Sequence, residues 1–121
     1  MNTVDPSKNP QVERRIREFL AVLNSGGPPI ETLSPAAARK VLVDAQASVP
    51  LNLPACDIEE KSVTQDGQQV NLTIVRPAGS TGTLPGFLFI HGGGWILGDF
   101  PTHERFVRDV VVDCGFAVAA S

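Results

Sequence analysis

The segment FIHGGGWILGDF, residues 89–100, places three consecutive glycines between a histidine and a tryptophan, directly after an apolar run. A glycine inside an ordered element costs about 0.5–1 kcal/mol relative to alanine, because it loses more backbone entropy on folding. Three glycines at the end of a predicted strand therefore bring a cost without an evident benefit to folding. We infer that this place needs a backbone free of side chains.

Three kinds of site use such a backbone. A phosphate loop of the GxxxxGK[ST] type is excluded, because Gly93 and Gly98 have the right separation but Asp99 stands where the lysine must be. A dinucleotide fingerprint, GxGxxG, needs a different glycine spacing. An oxyanion hole uses backbone N–H groups to stabilise the negative charge that develops on a carbonyl oxygen during acyl transfer. The glycines favour the oxyanion hole.

The residues on both sides of the glycines predict a strand, a helix and a second strand. The run FLFI, residues 87–90, lacks alternation and predicts a strand buried on both faces. Residues 101–115 predict a helix that ends at Gly115, and FAVAAS, residues 116–121, predicts another buried strand. The unit is expected to be a right-handed parallel crossover. The apolar stripe of the helix is formed by Phe106, Val107, Val110 and Val111.

The first half of the chain predicts two amphipathic helices followed by a hairpin. The helices lie within residues 11–26 and 34–48, the second with Ser34 as N-cap and Pro35 at its first position. Residues 57–77 alternate apolar and polar around the turn DGQQ, which is typical of an antiparallel hairpin. In the second hairpin strand, Val70, Leu72 and Ile74 are expected to lie on one face, with Arg76 as a further candidate for that face.

The motif His91-Gly92-Gly93-Gly94, after a buried strand and before Trp95 and Gly98-Asp99, resembles the HGGG signature of the hormone-sensitive-lipase family of α/β-hydrolases. The resemblance covers nearly the whole chain, although only residues 91–99 are specific. It implies the amino-terminal part of an α/β-hydrolase fold. Residues 1–50 would form cap helices, and residues 51–121 would form the first part of the core, which is incomplete.

The resemblance also implies roles for the residues of the motif. In the family, the first two glycines supply the N–H donors of the oxyanion hole, which here are Gly92 and Gly93. Gly94 would permit the turn, and His91 would brace the loop by hydrogen bonding without acting as the catalytic base. Trp95 would lie near the substrate pocket or, alternatively, anchor the loop by packing.

Asp99 and His103 have the residue types of a catalytic dyad. We interpret both as loop and helix-start residues, because an aspartate near a helix N-terminus is stabilising without any catalysis.

The serine nucleophile of the family, which lies in a GxSxG elbow, is missing from the sequence. Ser80 has Ala78 where the first glycine is required, and Ser121 is the last residue. We therefore expect an amino-terminal portion whose nucleophile, acid and base lie outside the chain. The isolated chain is expected to be inactive and to need the remainder of the hydrolase, as a second chain or as a missing carboxyl-terminal part.

The resemblance predicts that the complete protein is a serine carboxylesterase or lipase-like hydrolase of small, short-chain esters. An arylformamidase or amidase on the same scaffold, and a small-molecule receptor that has lost catalysis, remain alternatives. No cofactor is implied. Two histidines and two cysteines form no cluster at zinc spacing, so no metal site is predicted.

Charge and hydropathy narrow the partners and the location. The net charge is −3 and the chain has no basic run, which argues against nucleic acid as a partner. The longest apolar stretches are too short to span a bilayer. The first ten residues are polar and do not resemble a signal peptide, so a cytoplasmic protein is expected. Homo-oligomerisation is left open.

Overall fold

The computed structural model describes residues 5–121, and the part described falls into two compact units. The first unit ends at Leu33 and contains helix α1 (Arg14–Leu23) between two short 3-10 turns. Glu13 caps α1, because its carboxylate accepts a hydrogen bond from the Ile16 N–H at 3.1 Å. The first predicted helix is thus confirmed, and it is shorter than the amphipathic stretch. Residues 1–4 of the predicted cap region lie outside the described residues.

The second unit, Ser34–Ser121, contains two helices and a four-stranded mixed sheet in the strand order β1-β2-β4-β3. Strands β1 and β2 pair antiparallel, β2 and β4 pair antiparallel, and β3 and β4 pair parallel. The predicted α/β fold, an antiparallel hairpin followed by a parallel β–α–β unit, is confirmed. The elements are α2 (Pro35–Ala47), β1 (Cys56–Gln65), β2 (Gln68–Pro77), β3 (Gly86–Phe89), α3 (Phe100–Cys114) and β4 (Ala117–Ala120).

Helix α2 falls in the same unit as the sheet. The division of the chain into a cap and a core at residue 50 stays a prediction.

The local signals in the sequence account for the ends of these elements. The turn between β1 and β2 is Asp66-Gly67, with φ of +51° and +76°, the positive values that a two-residue type I′ hairpin turn requires. Ser34 caps α2, with Pro35 at its first position, as predicted. Helix α3 ends at Gly115, whose φ of +67° is that of a left-handed C-cap.

The hydrophobic core lies between α3 and one face of the sheet. It is formed by Val75, Val107, Val111, Val118 and Ala120. Helix α3 covers the sheet face that carries the core residues of β2 and β4, and these are register partners or neighbours.

Strand β2 buries the face opposite to the one that carries Val70, Leu72 and Ile74. Its buried residues are Thr73 and Val75, whereas Val70 is exposed and Leu72 and Ile74 are only half-buried. The physical reason is that α3 packs on the face of Val75, and alternation along a strand does not reveal which face a helix will cover. Thr73 tolerates burial because its hydroxyl donates a hydrogen bond to Glu60 Oε1 at 3.0 Å.

Strand β3 is the last strand of the sheet and leaves apolar side chains in solvent. Phe89 packs against Phe106 of α3 with ring centroids 5.2 Å apart, but Leu88 and Ile90 are 62% and 71% exposed. The expected burial of residues 87–90 on both faces is therefore not found among residues 5–121.

The described helices are short, from 10 residues in α1 to 15 residues in α3. Within residues 5–121, no helix has both the length and the apolar character needed to cross a bilayer.

Replacing Val111 by alanine tests whether the packing of α3 on the sheet dominates the stability of this unit. Val111 is fully buried, so Val111→Ala should lower the free energy of unfolding by about 2–3 kcal/mol through lost apolar contact and a cavity. The neighbouring Val112 is 47% exposed, so Val112→Ala should change it by less than about 0.5 kcal/mol. Urea denaturation of the protein that contains this chain measures both changes in unfolding free energy. Equal denaturation midpoints for Val111→Ala and Val112→Ala would contradict the assignment of the core.

Candidate active site

The glycine loop, residues 90–99, connects the carboxyl end of β3 to the amino end of α3. Ligand sites of α/β sheets lie at the carboxyl ends of the strands, so this is the expected place for a site. The loop borders an open cavity of about 700 Å³. The cavity is lined by residues 90–99 together with Arg39 of α2 and Ser121 after β4.

The backbone of the glycine loop turns back on itself. The N–H groups of Ile96 and Leu97 both donate hydrogen bonds to the Gly93 carbonyl oxygen, at 3.2 and 2.9 Å. Four residues of the loop have positive φ, which are Gly93 (+127°), Gly94 (+62°), Trp95 (+61°) and Gly98 (+86°). For Trp95 this conformation is strained, since bulky residues rarely adopt it, and strain of this kind concentrates at functional sites.

Only some of the glycines are required by the packing of this loop. A Cβ at Gly93 would overlap the carbonyl oxygen of Leu97 and would lie 2.7 Å from its carbonyl carbon. A Cβ at Gly92 would meet nothing within 4 Å, and Gly92 does not have a positive φ. The steric demand for glycine is therefore at Gly93, and the reason for a glycine at position 92 lies elsewhere.

The N–H groups of Gly92, Gly93 and Gly94 donate no hydrogen bond to any residue within 5–121. An N–H group without a protein partner must be satisfied by water or by a ligand. These three residues also border the cavity. The loop therefore offers backbone donors that a carbonyl oxygen in the cavity could use.

The His91 side chain is held against the glycine loop by a hydrogen bond and by ring stacking. Its Nδ1 lies 2.6 Å from the Gly92 carbonyl oxygen and donates to it, since a carbonyl can only accept. Its ring stacks on that of His103, with centroids 5.1 Å apart and an interplanar angle of 24°. Gly98 lies close to both rings, because a Cβ there would be 2.9 Å from His91 Nδ1. These contacts fit the predicted bracing role, which stays a prediction.

Asp99 and His103 are helix-start residues, as interpreted from the sequence. Asp99 is the N-cap of α3, and its carboxylate and N–H exchange hydrogen bonds with Thr102 at 3.1 and 3.0 Å. His103 Nδ1 lies 3.1 Å from the main-chain oxygen of Asp99. The capping box occupies the Asp99 side chain, and the loop is thereby fixed to the start of α3.

Arg39 is a residue of the cavity that the sequence did not indicate. Its Nε donates a hydrogen bond of 2.6 Å to the Ile96 carbonyl oxygen, from a position 57 residues earlier in the chain. An arginine on the polar side of an amphipathic helix carries no local signal of such a contact.

Trp95 is completely exposed, so within the described part of the chain it does not act as a packed anchor. This leaves its predicted place near the substrate pocket, which stays a prediction.

No residue of the described chain is placed as an activated nucleophile. Ser121 borders the cavity, but its hydroxyl makes no hydrogen bond to a histidine or carboxylate within residues 5–121. Both cysteines are free. Burial raises the pKa of the Cys56 thiol, which disfavours the thiolate that nucleophilic attack requires. The arrangement can therefore hold negative charge but does not generate it.

Comparison with known proteins identifies the fold. Residues 87–120 match a sequence family described as having the α/β-hydrolase fold. A thermostable esterase from Pseudomonas putida has 47% identity and a TM-score of 0.83 over 93% of this chain and 35% of its own length. An esterase from Rhizomucor miehei has 34% identity and a TM-score of 0.81 over the same shares. The ethyl acetate hydrolase of Pseudomonas putida is 26% identical over 96 residues, or 76% of this chain and 30% of that protein.

These similarities confirm the resemblance to the esterases of the α/β-hydrolase fold. They also show that this chain spans about a third of the length of the solved esterases it matches and 30% of the first relatives. The hydrolase activity is a property of the relatives, and the roles of individual residues in this chain are not tested by the similarity.

Alanine at Gly93 should disrupt the glycine loop, whereas alanine at Gly92 should not. Gly93→Ala must displace the Leu97 carbonyl, so we expect a loss of about 2 kcal/mol or more in unfolding free energy and faster amide exchange in residues 90–99. Gly92→Ala has room for its Cβ and should change stability by less than about 1 kcal/mol. Thermal unfolding and hydrogen exchange of the two proteins provide the comparison, and equal behaviour would refute the loop geometry.

Proposed function

This chain has the amino-terminal part of an α/β-hydrolase fold, and on that premise we propose that it supplies the oxyanion hole of a serine carboxylic ester hydrolase. Gly92 and Gly93 donate the two N–H groups. The observation that carries the proposal is the set of unpaired N–H groups at the carboxyl end of β3, beside a cavity. A preorganised donor of this kind contributes about 2.7–4 kcal/mol to stabilising the transition state of acyl transfer.

The remaining residues of the motif hold these donors in place. His91 braces the loop through the Gly92 carbonyl, and Gly94 permits the turn by adopting a left-handed conformation. Trp95 forms an aromatic wall for the substrate, and its full exposure and strained backbone support this role. Gly92 is a glycine because the substrate carbonyl approaches the backbone closely there. This explanation is supported by the absence of any protein atom that would exclude a Cβ.

The substrate class in this proposal is a small ester with a short acyl chain. The ethyl acetate hydrolase of Pseudomonas putida, to which 76% of the chain aligns, is named for such an ester. The oxyanion geometry does not depend on the alcohol, and it would serve an aryl formamide or amide as well.

The nucleophile, the acid and the base belong to residues outside this chain in our proposal. Acyl transfer through an acyl-enzyme needs a serine activated by a base, and the described residues provide none. The chain spans about a third of the esterases it matches, which is consistent with this division. The partner is therefore the remainder of the hydrolase, whose further strands would cover the open edge at β3. Residues 1–50 acting as a cap, and a cytoplasmic location, stay predictions from the sequence.

Removing one donor without adding an atom tests the oxyanion role. Glycolic acid in place of Gly92 in the complete hydrolase converts the amide into an ester and deletes its N–H. We expect kcat for p-nitrophenyl acetate to fall about 10²–10³-fold with little change in KM, because the lost hydrogen bond strengthens only as charge develops.

The matched control places glycolic acid at Gly82, in the loop before β3 and outside the cavity, and should retain full activity. Unchanged kcat at Gly92 would refute its donor role. A complete protein that binds small ligands but never turns over an ester would instead favour the receptor alternative.

The isolated chain of residues 1–121 should hydrolyse no ester and should not melt cooperatively. Phe87, Leu88 and Ile90 would remain in solvent beside an open strand edge, so we expect strong binding of the apolar dye ANS and aggregation. Calorimetry and a p-nitrophenyl acetate assay test this directly. A soluble monomer with one sharp transition would contradict the assigned partner.

A further inference from the structure

Within residues 5–121, the outer arm of the glycine loop receives one side-chain hydrogen bond from another element. Ile96 lies in the arm that returns from Trp95 towards α3, and its carbonyl oxygen accepts the 2.6 Å hydrogen bond from Arg39 Nε. Within residues 5–121, the Ile96 carbonyl has no other donor. Arg39 forms no ion pair with a described residue. The polar contact that Arg39 makes within these residues is therefore the one with the loop.

Arg39 starts from a fixed position. It follows Ala38, which is 4% exposed and is the buried residue of α2. Ser34 and Pro35 fix the first turn of the same helix, with the Ser34 hydroxyl accepting from the Ala37 N–H at 3.3 Å. The hydrogen bond therefore connects the loop, through the exposed Arg39 side chain, to a part of α2 whose backbone is held in place.

The loop needs this attachment because its backbone is strained. Trp95 has a φ of +61° and no packing partner, so its own side chain contributes nothing to holding the arm in place. The two ends of the loop are held by His91, which binds the Gly92 carbonyl, and by the Asp99 capping box. Between these ends, the hydrogen bond from Arg39 holds the outer arm at the Ile96 carbonyl. A hydrogen bond with a charged donor is about twice as strong as one between neutral groups.

We propose that Arg39 is a positioning residue of the oxyanion hole, acting from α2 through the Ile96 carbonyl to hold the Gly93-to-Leu97 turn in its donor geometry. The inference rests on the proposed function, since it assigns a purpose to the geometry of the same N–H groups. The Ile96 carbonyl and the Leu97 N–H belong to one peptide group, and that N–H donates to the Gly93 carbonyl, so a shift of Ile96 moves the residue whose own N–H is one of the proposed donors. A misplacement of about 1 Å can reduce turnover about 10²-fold.

Two substitutions of nearly equal length separate the hydrogen bond from the charge. Arg39→Gln places a neutral N–H donor at the same number of bonds from Cα as the arginine Nε, whereas Arg39→Met places a methyl group there. If Arg39 acts through its hydrogen bond to Ile96, Arg39→Met should lower kcat for p-nitrophenyl acetate about tenfold or more, while KM changes less than about twofold. Gln should recover most of the loss. Lys40→Met, one residue along α2, removes a charge that pairs with Asp44 and serves as the control.

Hydrogen exchange of the complete protein gives a readout that does not require catalysis. Arg39→Met should speed amide exchange in residues 90–99 about tenfold, while Arg39→Gln and Lys40→Met should leave it unchanged. If the complete protein hydrolyses no ester, the proposed function fails but the exchange result still decides whether Arg39 holds the loop. The proposal is overturned if Arg39→Met and Arg39→Gln have the same kcat and the same amide exchange, whether both match the unsubstituted protein or both show the same loss.

Discussion

The packing of α3 on the sheet is the interaction on which the described part of the second unit depends. Val107 and Val111 of the helix meet Val75 and Val118 of two strands, and all four side chains are fully buried or nearly so. Burial of such side chains contributes about 1.5–3 kcal/mol each, which is large against the net stability of about 5–15 kcal/mol that is typical of folded proteins. The same contact positions the body of α3, and the parallel pairing of β3 with β4 positions the end of β3. The glycine loop therefore joins two positioned elements, and Asp99 within the loop caps the start of α3.

Between those fixed ends, the loop must reverse its direction within a few residues. The hydrogen bonds from Ile96 and Leu97 to the Gly93 carbonyl accomplish the reversal, and they bring the Leu97 carbonyl to where a Cβ of residue 93 would lie. In this turn two N–H groups share the Gly93 carbonyl as acceptor, and within residues 5–121 the N–H groups of Gly92 and Gly93 have no protein acceptor. Such N–H groups are open to water or to a ligand in the cavity that the loop borders.

Much of the fold was readable because the decisive signals are local. The Asp66-Gly67 turn, the Ser34-Pro35 helix start and the Gly115 helix end each depend on the conformational preferences of one or two residues. The inward face of β2 was not readable in this way. Alternation shows that a strand has two faces, but the position of α3 decides which of them is buried, and so Val75 rather than Leu72 enters the core.

The sequence by itself determined the nature of the candidate site: three glycines after an apolar strand predict a bare backbone, and the HGGG motif indicates the α/β-hydrolase resemblance that the comparison confirms. It also distinguished the capping role of Asp99 from a catalytic one, since an N-cap is a local feature. Only the tertiary structure decided which glycine the packing requires, and only it connected Arg39 to Ile96 across 57 residues. The reason is physical: a conformational preference belongs to a few adjacent residues, whereas a contact depends on where the whole chain places two distant ones.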